Sequence, residues 1–309
     1  MSNESAPLNT PSRVTVAICT HNRADFLDSC LHALKLANQY ENFPIIVIDN
    51  ASTDHTAKVA LRHEVAYFFE PTLGLSHARN RALSLVQSEF LVFLDDDGAP
   101  NESWCAAIKE GIEKHNPDVF GGPYTPYYLS HKPDWFLDEF GSAHLELADG
   151  MTSDTVCFSG GNMGWRTALL KQVGGFDPKL GMTGGKLGLG EETAIQITLR
   201  NQPNIRRACF SAMTMKHYVP PAKMKLSYIA RRSFQYGYQI LDIDPEAPVI
   251  TKSHSLGFAR RSRLGLPLLY RLAVRNRTAT PCWSTFAAQY LSLHMIEAGV
   301  LWRKHIGNG

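Results

Sequence analysis

The 309-residue chain has no run of 18 apolar residues, and its first stretch, MSNESAPLNTPSR, carries no apolar core of the secretory kind. Neither a spanning helix nor export is expected, so the cytoplasm is the expected compartment. Cysteines are few and scattered. The six, at positions 19, 30, 105, 157, 209 and 282, form no C-x-x-C pair and no metal-ligand rhythm with histidine, which argues against a disulfide framework or a zinc site. Acid is scarce in one region only: Thr193 to Gly309 holds 17 Lys and Arg against four acids, a balance of +13 in a chain whose net charge is +2. The preceding residues therefore carry −11, enough to hold cations, while the last third suits an anionic partner such as phosphate or a lipid surface. No recognisable nucleic-acid module accompanies the basic stretch, so nucleic acid is not expected. With 44% hydrophobic and 19% charged residues the chain is globular rather than disordered.

Four short β-branched runs, VTVAICT (14–20), PIIVIDN (44–50), VAYFFE (65–70) and EFLVFLD (89–95), read as strands apolar on both faces. Asp25 to Gln39 and Thr53 to His63 show helical spacing between them; Ser76 reads as the cap of a third helix to Gln87, and Asn101 as the cap of one to His115. This alternation predicts an α/β fold, a Rossmann-like, mostly parallel central sheet flanked by helices. Ligands of such sheets bind at the carboxyl ends of the strands. Glycine-rich or proline-rich loops follow at 121–135, 158–165 and 181–192, then a helix over Glu191 to Arg200, a strand around Cys209 to His217 and a helix from Met224 to Leu241. The basic, amphipathic remainder runs from Arg260 to His305. The expected organisation is an N-terminal tail (1–12), a catalytic domain (13–220) and a basic, mainly helical C-terminal extension (221–309).

The strand ends carry the chemistry. The first runs into Thr20, His21 and Asn22, the second into Asp49 and Asn50, and the fourth into Asp95, Asp96 and Asp97. Strand alternation would aim Asp95 and Asp97 at one face, about 6 to 7 Å apart, with Asp96 opposed. A divalent cation would turn that repulsion into ligation, and hard oxygen donors with few protein contacts suit Mg2+ or Mn2+ completed by substrate phosphates. Arg79, in the first turn of the third helix, suits an anionic phosphate.

Thr-x-Asn-Arg after the first strand, IDNASTD after the second, GLSHARNRAL opening a helix, then LDDD, GGNM, GGFD and GEE in this order resemble the inverting glycosyltransferases of family 2. The resemblance spans about Arg13 to Tyr218. It implies the nucleotide-sugar-binding GT-A fold, with a nucleotide-sugar donor and a glycan or lipid-linked acceptor. By the same resemblance Asp49 accepts a hydrogen bond from the base, usually uracil, near Thr20, Asn22 and Arg23, and Arg79 reaches toward the nucleotide. Asp95 faces the ribose and Asp97 the metal, with Asp96 able to replace either, and His217 completes the metal site. Gly160, Gly161 and Asn162 lie against the donor sugar. Glu191 and Glu192 match a Glu-Asp pair whose second member is the general base; Glu stands at that second position here, so the base is Glu192 or, failing that, Glu191. Loop 181–190 is expected to act as a lid.

Two other readings remain open. A sugar nucleotidyltransferase would need a glycine-rich loop after the first strand, where THNR supplies no glycine. A catalytically retired scaffold is kept open by the Glu in place of Asp. The basic extension suggests peripheral contact with the inner face of the membrane or a grip on a phosphorylated lipid acceptor.

Overall fold

The computed structural model describes residues 12–144, 146–184, 187–200, 202, 204–244 and 283–306. The chain forms two compact units: one takes it to Tyr127 and resumes with Gly141–Tyr218, and the other joins Tyr128–Phe140 to the residues from Val219 onward.

The first unit is built on an eight-stranded sheet. Its parallel half comprises β1 (Val14–Thr20), β2 (Ile45–Asn50), β3 (Ala66–Glu70) and β4 (Phe90–Leu94), set in the order β3-β2-β1-β4. The connections are α1 (Ala24–Ala37), α2 (Thr56–Arg62) and α3 (Leu75–Leu85). Beyond β4, β5 (Gly98–Pro100) and α4 (Trp104–His115) lead to β6 (Val119–Gly121) and β7 (Tyr124–Tyr127). Further on come β8 (Gly150–Met151), β9 (Asn162–Arg166), α5 (Thr167–Gln172), α6 (Glu191–Thr198), β10 (Arg207–Cys209) and β11 (Met215–Tyr218). Strand β9 inserts antiparallel between β4 and β6, and β10 and β8 complete the sheet. A second sheet has the order β5-β11-β7.

Alternation along β1 divides the core. Val14, Val16 and Ile18 pack with Leu27, Leu31 and Leu34 of α1 and with Trp104, Ile108 and Ile112 of α4. Ala17 belongs to the opposite layer, with Ala78 and Ala82 of α3, Phe93, Leu170, Phe176 and Ile195 of α6. Both faces of the parallel strands are covered, which is why they read as continuous apolar runs. Pairing of Thr20 with Asp49 in the β1–β2 register sets these two strand ends side by side.

Two expected caps are corrected. The N-cap of α3 is Gly74, at φ 145°, where a β-carbon is disfavoured; Ser76 lies inside the helix and donates its hydroxyl to Leu180 O. The N-cap of α4 is Ser103, and Asn101 contributes its carbonyl to Trp104 N–H rather than a side-chain cap. The expected strand over Cys209 to His217 is two strands in different sheets, separated by a turn in which Met213 N–H bonds Phe210 O.

The second unit contains α7 (Leu226–Ile243) and α8 (Trp283–Ile306). The two helices approach at backbone distance, since a β-carbon on Gly237 would stand 1.9 Å from Ile296 O and one on Gly299 2.1 Å from Phe234 O. Ser233 and Ser292 share a hydroxyl hydrogen bond at 2.7 Å, and Arg303 reaches Tyr238 and Asp242, both at 3.0 Å. Phe136, Val219, Met224 and Ile229 form a separate small core with Trp135 and Phe140. Among the described residues no helix is long and apolar enough to cross a membrane. The basic cluster at Arg260, Arg261, Arg263, Arg271, Arg275 and Arg277 lies outside the described residues.

Candidate active site

Strand β4 ends at Leu94 because the chain turns there. Asp95 N–H bonds Gly161 O and Gly98 N–H bonds Asp95 O, after which Gly98 enters the three-stranded sheet opposite His217. The aspartate triplet is thus the turn that passes the chain from one sheet to the other, and strand alternation does not govern it. The expected pairing of Asp95 with Asp97, with Asp96 opposed, is modified: Asp96 and Asp97 share one cation, while burial and then Asp97 raise the Asp95 carboxyl, so Asp95 remains a close neighbour of Asp97. Arg23 bridges the first two, Nη1 lying 2.9 Å from Asp96 Oδ1 and Nη2 2.7 Å from Asp97 Oδ2. Thr20 donates its hydroxyl to Asp96 Oδ2 at 2.7 Å. Burial pushes the Asp96 carboxyl up to about 7, aided by Asp97 and opposed by Arg23 and Thr20.

Asp95 turns toward Arg79, 3.8 Å away. Arg79 is 2% exposed and donates to Glu191 Oε1 at 2.5 Å, with its guanidinium beside the packed pair of rings Phe93 and Phe176, at 5.6 and 5.4 Å. It lies inside the protein, bound to a carboxylate. Burial works against its charge, but Glu191, then Asp95 and Glu192, outweigh that and keep it protonated. Glu191 opens α6 at 5% exposure; burial and its neighbour Glu192 raise its carboxyl above the ordinary range, with Arg79 pulling the other way. Glu192, in the same first turn, is only half-buried.

His217 is brought to the triplet by main-chain pairing. Tyr218 N–H bonds Asp97 O at 3.1 Å, and His217 Nε2 then stands 3.6 Å from Asp97 Oδ1. Tyr124 meets the imidazole edge-on.

Several expected donor contacts are engaged within the protein instead. Asn22, at φ 52°, accepts from Thr53 N–H through its side-chain oxygen, locking the loop after β1 to the loop after β2. Asp49, 2% exposed, accepts from the Tyr67 hydroxyl at 2.8 Å and from Ser52 N–H at 2.9 Å. Asn162, 1% exposed, accepts from Trp104 Nε1 and donates to Pro123 O and Met213 O, so both ends of its amide are committed. A β-carbon on Gly160 would stand 2.4 Å from Arg79 Nη2, and one on Gly161 2.4 Å from Asp95 Oδ2. The close approach these glycines permit is to the protein's own charged side chains.

Residues that the sequence did not single out complete the frame. Gln196 of α6 pairs both the N–H and the carbonyl of Phe158, and Arg207 donates to Gln196 O at 2.6 Å, so the helix bearing Glu191 and Glu192 is tied to the loop before Gly160. Tyr67 supports Asp49, and Phe26 lies under Arg23. A tyrosine two residues into a buried strand and a glutamine on an otherwise apolar helix face were the available signals.

Comparison with known proteins matches residues 15–174, just over half of the chain, to the family described as Glycosyl transferase family 2. The chain belongs to that family. The matched span contains the triplet and the glycine loop but stops before Glu191 and His217. Among relatives, the glucosyl-dolichyl phosphate glucuronosyltransferase of Haloferax volcanii is 22% identical over 75% of this chain and 78% of its own. The chondroitin synthase of Pasteurella multocida is 26% identical over 58% of this chain but only 22% of that larger protein. Among solved structures, a mannosyltransferase from Pyrobaculum calidifontis in complex with GDP-Man and Mn2+ superposes with TM-score 0.59 at 18% identity, covering 98% of this chain and 90% of that one. S. aureus TarS in complex with UDP gives 0.53 at 19% identity, covering 74% and 66%. These neighbours share the GT-A fold.

The residues of this glycosyltransferase fit a divalent cation as a partial shell. Asp97 Oδ1 and His217 Nε2 are separated by 3.6 Å, close enough for both to reach one ion but wider than the about 3.0 Å between adjacent octahedral donors with bonds of about 2.1 Å, so they would draw together on binding. Among the described residues no group of three or more His, Cys, Asp or Glu side chains is gathered to cage an ion. One carboxylate and one imidazole, with phosphate and water left to fill the remaining positions, is the kind of donor set that Mg2+ or Mn2+ takes at a phosphate site.

Proposed function

We propose that this glycosyltransferase moves a sugar from a UDP-sugar to a hydroxyl of a glycan or lipid-linked acceptor, with inversion at the anomeric carbon. The observation that carries the reading is the buried Arg79 guanidinium, which touches Asp95 of the triplet and Glu191 of the α6 pair. One immobile cation thereby relates the carboxylates that meet the departing diphosphate to those that meet the acceptor. Glu191 is committed to Arg79, which leaves Glu192 as the general base. Glu192 takes the proton from the acceptor hydroxyl as its oxygen attacks the anomeric carbon from the face opposite the diphosphate. Asp97 and His217 would hold a Mg2+ or Mn2+ ion, which would neutralise charge on the leaving diphosphate. Thr20, Asn22, Arg23 and Asp49 form the nucleotide end, with Asp95 and Asp96 toward the ribose and Gly160, Gly161 and Asn162 behind the sugar.

Structural neighbours in complex with UDP and UDP-GlcNAc support uridine, while the neighbour in complex with GDP-Man makes the base the point to test. A relative named for a glucosyl-dolichyl phosphate supports a lipid-linked acceptor. So does the start of α7 in the second unit, where Lys225, Arg231 and Arg232 are exposed, a basic stretch suited to peripheral contact with an anionic membrane face. The deciding experiment measures nucleoside diphosphate release from UDP-sugars and GDP-mannose with Mn2+ or Mg2+, and the anomeric configuration of the product by NMR. UDP release and an inverted product are expected. Consumption of GDP-mannose alone would remove uridine, and a retained configuration would remove Glu192 as base. Co-sedimentation with anionic liposomes tests the membrane contact separately.

A further inference from the structure

Two arginines flank the triplet, and they differ in one decisive respect. Arg79 has a side chain 3% exposed, lies against two aromatic rings and is bound to Glu191, so it is held in place. Arg23 has a side chain 36% exposed and lies over a single ring, Phe26, at 4.8 Å. Phe26 in turn stacks on Tyr218 at 5.0 Å, the residue that follows His217. The guanidinium thus rests on an aromatic surface with one side toward solvent.

We infer that Arg23 is a resident counter-cation of the triplet, which holds Asp96 and Asp97 until a divalent ion binds and then gives up Asp97. The inference rests on the proposal that Asp97 and His217 hold that ion. Arg23 takes one oxygen of each carboxylate, while the second oxygen of Asp97 faces His217. An ion shared by Asp97 and His217 would stand beside the guanidinium with the same sign of charge. One of the two must yield, and only Arg23 is free to move.

The local backbone is arranged for a side-chain swing. Asn22, immediately before Arg23, is fixed by Ser52 Oγ on its N–H and by Thr53 on its side chain. Arg23 itself is the N-cap residue of α1, with φ −140° and ψ 42°, and makes no side-chain cap bond. Its side chain can leave the carboxylates without unwinding the helix or moving the loop. Two consequences follow. Without metal, adjacent buried carboxylates are kept from repelling each other, so the fold does not depend on the ion. With metal, the released fork of N–H donors matches the two oxygens of a phosphate, so metal and donor diphosphate bind cooperatively through Arg23.

The test uses Mn2+ alone, without nucleotide, and reads free ion by electron paramagnetic resonance beside the melting temperature. Arg23→Met is expected to bind Mn2+ about ten- to a hundredfold more tightly than wild type, because the arginine-occupied state no longer competes. The same variant should melt lower than wild type in chelator. Asp97→Asn should lose Mn2+ binding. Equal or weaker binding by Arg23→Met, with binding still lost in Asp97→Asn, would overturn the counter-cation while leaving the metal assignment standing. Binding that persists in Asp97→Asn, or that no variant shows, overturns both. If Arg23→Met does not fold, Arg23→Lys replaces it: losing the two-pronged fork should tighten Mn2+ several-fold, and unchanged affinity would refute the inference.

Discussion

The two ends of the eight-stranded sheet handle charge in opposite ways. At the amino end, Arg13 and Arg166 face Glu89 and Asp118 in a balanced network, with Glu89 2.7 Å from each arginine. Hydrogen bonding from Arg13, against a smaller cost of burial, holds the Glu89 carboxyl below its ordinary range. At the carboxyl end, Asp95, Asp96, Asp97, Glu191 and Glu192 gather around Arg23 and Arg79, and burial drives Asp96 and Glu191 above theirs. One end is matched in charge and partly exposed, and adds modestly to stability. The other holds more negative charge than its own cations neutralise, which costs stability and leaves it short of a positive partner. Perturbation of this kind, in a crevice at strand ends, is what a working site looks like physically.

Substitutions at the unmatched end should hit activity hardest. Replacing Glu192 by Gln should keep shape and donor affinity but remove the proposed base, so transfer should fall about 10³-fold. An unchanged transfer rate at saturating donor would move the base to another group. Asp97→Ala should reduce turnover by about 10² to 10³-fold, with the folded state retained by circular dichroism.

Arg79 decides whether the two halves of that end are coupled. Arg79→Met leaves Glu191 buried without its cation and should cost about 3 kcal/mol of stability in denaturant unfolding, together with activity. At the matched end, Glu89→Gln should cost about 1 kcal/mol or less, because the network is partly exposed, and transfer should not change. If Glu89→Gln damaged catalysis as much as stability, the contrast between the ends would fail.

Acidity separates the ends by sign. Asp96, at about 7 in the fold against an ordinary 3.8, stays protonated longer when folded, so it costs stability as pH rises from about 4 to about 7. Glu89 is depressed, so its support is present above its ordinary 4.5 and disappears as pH falls through its lowered value. In chelator, Asp96→Asn should gain on wild type in melting temperature as pH climbs toward 7. A constant difference across that range would show that Asp96 is ionised throughout.

The parallel half of the sheet was legible to within about a residue, because runs such as IIVID and FLVFL are buried on both faces and need no partner to be recognised. Strands of two or three residues, β8, β10 and β5, were not, since their pairing comes from distant segments rather than from their own pattern. The triplet was legible as a site but not as a geometry: alternation was extended past Leu94 into what is a turn between sheets. The hydrogen bonds that fix Asn22 and Asn162 within the protein were not legible. An amide signals that something will be bonded, and its partners here, Thr53 and Trp104, lie 31 and 58 residues away. Arg79 was expected at the nucleotide, yet Glu191, 112 positions on, is what holds it.

The contact of Gly160 and Gly161 with Arg79 and Asp95 also bears on engineering. A library aimed at new donors would naturally randomise this loop. Any side chain introduced at either position would push on the charged scaffold before it met a sugar, so most members would be lost to misassembly rather than altered in preference. Both positions are best held constant.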